Sequence, residues 1–397
     1  MSLLFVGCES THMLGNNIVK GDADTSELTD EFKLAYMDFA IELLNNASEE
    51  NGDNGKNTVV SPMSVMLALA QAANGADTQT LQEMEKVLAN GMSIDKINKF
   101  LGKMVELSGD ELKTANSIWI RDEFGKNVRE SFLQKNIDYY NAKTYNMAFD
   151  ENGANRINKW IDENTDGMIK KIIEEIDPAT VMYIINALAF DAKWKEQYTD
   201  ENRLTDTFFG KDKAAAAEYM CSVENKYIEG ENVTGFIKPY EGEKYSFACL
   251  LPDENIDVFE YAKTLDAQTL KELLNAQEKA VDVRIPMFKT EYETELKKTL
   301  CAMGMPTAFV YGQADFTRLA DCPKGDVYIG EVLHKTFLEV NMQGTKAAAV
   351  TSVDFRCESA VFIEDMLQVY LNRPFIAMIT DNETNLPIFM SVISAVK

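Results

Sequence analysis

The chain has 397 residues, of which 46% are hydrophobic and 26% are charged, a globular composition that excludes disordered, collagen-like and low-complexity classes. Its 39 basic and 64 acidic residues give a formal net charge of −25, which excludes a general nucleic-acid binder and disfavours adsorption to anionic membranes. A charge of this sign favours basic encounter partners.

The first 27 residues are predicted to form a tail that precedes a single domain at residues 28–397. The apolar run that ends in Phe5, Val6, Gly7 and Cys8 is similar to the end of a bacterial lipoprotein signal, in which the cysteine is lipidated; a start-site accident is the alternative. Residues 13–26 are polar in character. No stretch approaches the roughly 20 apolar residues that a membrane span requires, so no span is predicted.

Two helices are predicted near the start of the domain. Apolar residues recur at helical spacing from Leu28, which predicts an amphipathic helix that ends in the polar loop 45–57. Ser61 is a good N-cap and Pro62 suits a first helical position, so a second helix is predicted from Pro62 to Ala73. This second helix is apolar nearly all round and should therefore be central.

The later elements alternate between strands and helices. Strands are predicted at 114–120, 181–190, 245–251 and 281–288, and helices at 154–164 and 261–280. The run at 181–190 is continuously apolar, which is typical of a strand buried on both faces. Neither an internal repeat nor a linker divides the chain, so the elements predict one large mixed α/β domain.

The sequence argues against catalysis. Only two histidines are present, His12 and His334, and a Ser-His-Asp set would have to combine His334 with Ser61 or Ser64. No GxSxG elbow occurs, and Ser61 is already explained as a helix cap. Dinucleotide and phosphate-binding glycine motifs are missing, and the six cysteines show no metal-ligand spacing, so neither cofactor nor metal is predicted.

The stretch from Gly344 to Glu358 is the most informative part of the sequence. Every second side chain from Thr345 onward is small or apolar, and the alternate set is mostly polar, which predicts a strand with one buried face. The buried set is Thr345, Ala347, Ala349, Thr351, Val353, Phe355 and Cys357. Such small side chains suit a segment that slides between existing strands, although an ordinary short helix or strand at 346–352 also fits the composition.

Several separate blocks of the chain, from about Leu28 to Val396, resemble the serpin family. These blocks are residues 60–64 (VSPMS), 74–78 (NGADT), 158–167 (NKWIDENTDG), 185–194 (INALAFDAKW), 344–349 (GTKAAA), 372–375 (NRPF) and 386–389 (LPIF). The resemblance implies an α+β serpin fold, with helices surrounding a large central β-sheet, further sheets and an exposed reactive-centre loop at about 342–367.

The resemblance also implies an irreversible protease inhibitor that has no enzymatic activity and uses no cofactor. A serine protease would cleave the loop and form an acyl-enzyme, and insertion of the loop into the central sheet would then trap the protease. The alternative is a non-inhibitory serpin that acts as a binding or substrate module. A hydrolase using Ser64 and His334 is a distant third interpretation.

Individual residues take roles from the same resemblance. Ser61, Ser64, Asn186 and His334 would lie in the shutter beneath the sheet, and Trp194 would lie at the breach, where the loop first enters. The hinge would consist of Gly344, Thr345, Lys346, Ala347, Ala348 and Ala349. Met342 and Gln343 depart from the acidic residues usual in inhibitory members, and Lys346 replaces a common Glu, but the run of small residues favours insertion.

The cleaved bond is predicted within a window of the loop. Spacing counted from Gly344 gives Glu358–Ser359, whereas spacing counted back from Asn372 gives a bond near Ile363–Glu364. Arg356–Cys357 would suit trypsin-like or subtilisin-like proteases, and Ala360 or Val361 would suit elastase-like ones. Cys357 should be exposed, either as an incidental thiol or as a site of redox control.

The location and assembly of the protein follow from the same features. The sequence predicts a secreted inhibitor, or one that is lipid-anchored at a bacterial cell surface through Cys8. We expect a monomer that can assemble into loop–sheet polymers.

Overall fold

The computed structural model describes residues 11–52, 55–176, 180–345 and 366–396. Among these residues, the α-helices are α1 Asp30–Gly52, α2 Pro62–Ala73, α3 Thr78–Ala89, α4 Ile94–Leu107, α5 Asp122–Gly125, α6 Glu130–Tyr140, α7 Glu151–Asn164, α8 Val258–Thr264, α9 Ala267–Leu274 and α10 Lys297–Met303. The β-strands are β1 His12–Leu14, β2 Thr58–Val60, β3 Leu112–Arg121, β4 Lys143–Met147, β5 Met182–Phe190, β6 Ala192–Lys193, β7 Arg203–Phe209, β8 Ala214–Gly230, β9 Val233–Pro239, β10 Tyr245–Pro252, β11 Gln277–Pro286, β12 Phe288–Glu295, β13 Glu331–Asn341, β14 Gly344–Thr345, β15 Leu367–Tyr370, β16 Phe375–Asp381 and β17 Pro387–Ile393.

The strands form two large sheets. The first, which we call the central sheet, runs in the order β1-β4-β3-β5-β13-β14-β6, with β12 paired to the other edge of β13. The second runs in the order β15-β11-β8-β9-β10-β16-β17-β2, with β7 paired to β8. The helices and the two mixed sheets together form the α+β architecture that the resemblance implied.

Helix α2 packs between the two sheets and is completely buried. It contacts β3 and β5 of the central sheet and β17 of the second sheet. The Ser61 hydroxyl accepts the amide hydrogen of Ser64 at 3.3 Å, and Pro62 occupies the first turn, as the sequence predicted. A helix that is apolar on every side can be stable only in such a position.

Helix α7 covers the opposite face of the central sheet. Its Ile157 and Ile161 pack with Trp119 of β3 and with Tyr183 and Ile185 of β5. The side chains of β5 are consequently buried on both faces wherever they are described, which confirms the prediction for this apolar run. Any strand that enters the sheet beside β5 must therefore fit between two packed layers.

Two predicted elements were wrong in their extent. Helix α1 continues to Gly52, through residues that were assigned to a polar loop. The helix predicted at 261–280 is instead two short helices, because Asp266 accepts the amide hydrogen of Thr269 at 2.7 Å and starts α9 afresh. Residues from Gln277 onward then belong to β11, where they pair with β8.

The segment before α1 lies against the domain. β1 adds an antiparallel strand to the edge of the central sheet through its pairing with β4. Further along, Asp24 and Glu27 form ion pairs with Lys99 and Lys103 of α4. Within the described residues, no helix combines the length and apolar character needed to cross a membrane.

Candidate functional site

The first two residues of the predicted hinge are already part of the central sheet. Gly344 and Thr345 form β14, which pairs antiparallel with β13 on one side and with β6 on the other. A Cβ atom on Gly344 would lie 2.0 Å from the carbonyl oxygen of Ala192, so the backbones approach more closely than any side chain allows. Thr345 is only 1% exposed.

Aromatic residues hold the turn that leads into β14. The Trp194 indole N–H donates to the carbonyl oxygen of Asn341 at 2.8 Å, and the Trp194 amide donates to that of Gln343 at 2.9 Å. The Tyr198 amide donates to the carbonyl oxygen of Met342 at 3.2 Å. Three consecutive carbonyls at the base of the loop, those of residues 341–343, are therefore bound by two aromatic residues, Trp194 and Tyr198.

Tyr240 connects these aromatic residues to the hinge. Its ring stacks on that of Trp194 with centroids 4.7 Å apart, and its hydroxyl lies 2.6 Å from the Thr345 hydroxyl. Burial raises the pKa of Tyr240 well above its ordinary value, so the hydroxyl remains protonated. We call Trp194, Tyr198 and Tyr240 the aromatic clasp.

A second cluster lies deeper, between the central sheet and α2. His334 Nε2 accepts the Ser61 amide hydrogen at 3.2 Å, and the Ser61 hydroxyl donates to the carbonyl oxygen of Ile388 at 2.9 Å. Ser61, Ser64 and His334 are all fully buried. On the adjacent strand, Asn186 lies opposite His334 in the β5–β13 register. The structure thus brings together the residues assigned to the shutter.

This geometry does not suit a hydrolase. Burial lowers the pKa of His334 to about 3, so its imidazole is neutral, and its Nε2 is occupied by a backbone amide. The Ser61 hydroxyl donates to a carbonyl rather than to the imidazole, and Ser64 has no exposed surface. Neither serine could reach a substrate from this position, so the Ser-His-Asp interpretation is wrong.

The downstream end of the loop is anchored on the second sheet. β15 begins at Leu367 and pairs in parallel with β11. The Tyr370 hydroxyl donates to the Asp282 carboxylate at 2.6 Å, and the Arg284 guanidinium lies 4.0 Å from the centroid of the Tyr370 ring. These contacts tie β15 to β11 through a hydrogen bond, a cation–π contact and a ladder.

The remaining loop predictions lie outside the described residues. They are the hinge residues Lys346, Ala347, Ala348 and Ala349 and the bond candidates Arg356, Cys357, Glu358, Ser359, Ala360, Val361, Ile363 and Glu364. Cys8 lies outside them as well. The choice of cleaved bond and the lipid anchor therefore stay predictions.

Sequence reasoning missed Tyr198 and Tyr240 of the clasp. Their partners are remote in the chain: Tyr240 and Thr345 are 105 positions apart. No local pattern marks such a contact, because neither the residues around Tyr198 nor those around Tyr240 form a recognisable motif. Among the described residues, no cluster of His, Cys, Asp or Glu has the arrangement of a metal site.

Comparison with solved structures identifies the fold. The chain is 42% identical to tengpin, a thermophilic serpin, in its native state, with a TM-score of 0.90 over 97% of this chain and all of that one. The latent state of tengpin is matched with a TM-score of 0.81, at 43% identity over 94% of this chain. The described fold is thus more similar to the native state than to the latent state.

Sequence comparisons agree with this identification of the fold. The chain is 30% identical to human neuroserpin over 90% of both proteins, and 30% identical to an uncharacterized serpin-like protein of Methanosarcina mazei over 98% of this chain and 94% of that protein. The family described as serpin (serine protease inhibitor) matches residues 34–395. Its members are non-enzymatic inhibitors or binding proteins. With a family model that matches residues 34–395 and a fold that matches native tengpin, this chain belongs to the serpin family.

Proposed function

We propose that this serpin is an irreversible suicide-substrate inhibitor of serine proteases. The acyl-enzyme chemistry belongs to the protease, while this chain supplies the bond that is cleaved and the conformational trap. The observation that carries the proposal is β14, whose two residues lie between β13 and β6 as the first rung of an inserting strand.

The register of β14 can continue down the sheet. Thr345 pairs with Val340 of β13 and with Ala192 of β6, so the same register would place Ala347 between Leu338 and Phe190. Side chains on the Thr345 face would then enter the core, where only small or apolar groups fit. The alternating small residues after Thr345 have this character.

Strand direction supplies part of the driving force. β5 and β13 are paired in parallel, whereas β14 is antiparallel to both of its neighbours. Full insertion would replace one parallel ladder with two antiparallel ladders, and antiparallel pairing is slightly more stable per residue. It would also supply hydrogen-bond partners for the backbone of every inserted residue.

The test is incubation with a panel of elastase-like, trypsin-like, subtilisin-like and Glu-specific proteases. Denaturing gel electrophoresis should show a stable complex with at least one of them, and mass spectrometry of the released peptide should identify the bond. We expect Glu358–Ser359, with Arg356–Cys357 as the chemical competitor. Cleavage in the same window without a complex would overturn inhibition and leave a binding or substrate module.

Location and assembly remain parts of the proposal. A secreted or Cys8-anchored inhibitor would meet exogenous proteases, and a net charge of −25 favours basic ones. A solved structure of a loop C-sheet serpin polymer is 39% identical to this chain with a TM-score of 0.80. That relative supports the expectation that a monomer can assemble through its loop.

A further inference from the structure

A buried ion pair lies directly beneath the aromatic clasp. Lys238 of β9 and Glu224 of β8 are joined by a 2.7 Å contact between Nζ and Oε1, with side chains only 3% and 9% exposed. Among the ion pairs of the described residues, this is the one in which both side chains are nearly inaccessible. Burying two charges is costly, so a pair in this position calls for a specific role.

A chain of hydroxyl groups links the carboxylate to the clasp. The Ser222 hydroxyl donates to Glu224 Oε1 at 2.6 Å, and it lies 2.9 Å from the Tyr198 hydroxyl. Because Ser222 has only one hydroxyl hydrogen, Tyr198 must be the donor in the second bond. Burial, and secondarily the nearby carboxylate, raise the pKa of Tyr198 far above its ordinary value, so this proton stays in place.

The ammonium group acts on the clasp directly. Lys238 Nζ lies 4.7 Å from the centroid of the Tyr198 ring and 5.5 Å from that of the Trp194 ring. Cation–π attraction between desolvated partners is stronger than at an exposed site. The cation thus holds the two aromatic residues whose amides and indole bind the carbonyls of residues 341–343.

We propose that Lys238, held in place by Glu224, is a positioning residue that limits entry of the reactive loop into the central sheet. By fixing Trp194 and Tyr198, it keeps the turn at 342–343 bound and slows further entry of the loop until the loop is cut. The inference rests on the proposed function, because only a loop that inserts needs such a restraint. Removing the cation should free the rings and speed strand entry.

Uptake of a synthetic peptide tests this role without a protease. The probe is a fluorescein-labelled, N-acetylated peptide with the sequence of residues 346–356, mixed with the full chain and followed by native gel electrophoresis. Lys238→Met should raise the uptake rate by about tenfold or more, because it removes the cation and leaves a buried carboxylate unpaired. Lys238→Arg, which retains a cation beside the two rings, should take up peptide more slowly than Lys238→Met does.

Lys195→Met is the matched control. Lys195 pairs with Glu243 in a surface pocket that Glu224 and Lys238 also line. Both side chains of this pair are about half exposed, and exposed ion pairs contribute little to stability. Its uptake rate should stay within about twofold of wild type. An equal acceleration in Lys195→Met and Lys238→Met would show a general charge effect and would overturn the proposal.

A double variant separates positioning from stability. Glu224→Met with Lys238→Met removes both charges at similar volume, so the midpoint of urea unfolding should recover while peptide uptake remains fast. This variant also carries the test if Lys238→Met fails to fold. Uptake at the wild-type rate in the double variant, or no uptake by the wild type, would overturn the proposal. Altered uptake in a protein that traps no protease would instead reject inhibition alone.

Discussion

The seam between β5 and β13 differs between its two halves. In the lower half, Glu331–Thr336 of β13 pairs directly with residues 183–188 of β5, above the buried contact between His334 and Ser61. In the upper half, β14 separates β13 from β6, and the aromatic clasp holds the turn through three carbonyls. The upper seam shows that a strand fits between these neighbours, and further entry must also part the direct pairing of β5 with β13 in the lower seam.

The largest expected effect comes from blocking the upper seam. Thr345→Arg would force a charged guanidinium into a site that is 1% exposed and that bonds the Tyr240 hydroxyl. The cost should exceed the roughly 2 to 7 kcal/mol of burying an uncompensated neutral polar group. The protein should still be cleaved but should no longer trap protease. The measurement is the fraction of protease in the denaturation-resistant complex, compared with the cleaved serpin.

Thr345→Ser is the control, because it keeps a small hydroxyl group beside Tyr240. It should trap protease nearly as well as the wild type. If Thr345→Arg trapped protease to the same extent as Thr345→Ser, entry of the loop along the β14 register would be contradicted.

Loosening the lower seam should give the next largest effect. His334→Ala leaves the buried Ser61 amide without its acceptor and opens a cavity, which together should lower the free energy of unfolding by about 3 kcal/mol. The weakened seam should also promote loop–sheet polymers. Urea denaturation measures the first effect, and size-exclusion chromatography after mild heating measures the second.

The other histidine provides the control for that variant. His12 lies on β1 at the exposed edge of the central sheet, so His12→Ala should change neither the unfolding midpoint nor the elution profile appreciably. An unchanged, monomeric His334→Ala protein would show that the lower seam is held by other contacts.

The pH dependence sharpens the same comparison. The pKa of His334 falls from 6.5 to about 3 on folding, so the unfolded chain binds the extra proton at intermediate pH. Stability from the neutral imidazole is complete above pH 6.5 and is lost as pH falls towards 3. Between pH 7 and pH 5 the loss should be about 2 kcal/mol. His334→Gln should lack this pH-dependent loss of stability. The difference in unfolding free energy between wild type and His334→Gln should therefore be smaller at pH 5 than at pH 7.

The two seams also differ in how far the sequence could predict them. Ser61, Pro62 and the alternating residues around His334 carry local signals, since caps and periodicity are set within a few positions. The structure confirmed α2, and it brings Ser61 and His334 into contact. The pattern after Gly344 was equally readable, but only Gly344 and Thr345 of that stretch are described.

The upper seam could not be read in the same way. Tyr240, Tyr198 and Lys238 act through partners that are distant in the chain, and single-sequence patterns do not encode such contacts. The prediction of one continuous helix at 261–280 failed for a related reason. The helical periodicity of the sequence continues past Leu265. In the structure, however, the Asp266 cap starts a new helix, and the pairing of Gln277 with β8 begins a strand.

The smallest expected effect tests one hydrogen bond of the upper seam. Tyr240→Phe removes the hydroxyl beside Thr345 but keeps the ring that stacks on Trp194, so the free energy of unfolding should fall by about 1 kcal/mol. Amide hydrogen exchange at Thr345 should quicken, because β14 loses a side-chain anchor while its ladder remains. Tyr261→Phe, in the α8 region outside the seam, is the control and should leave that exchange rate unchanged. Since both variants delete the hydroxyl of a buried tyrosine, a difference confined to Tyr240→Phe would locate the effect at the hinge, and equal exchange rates would show that the ladder alone holds β14.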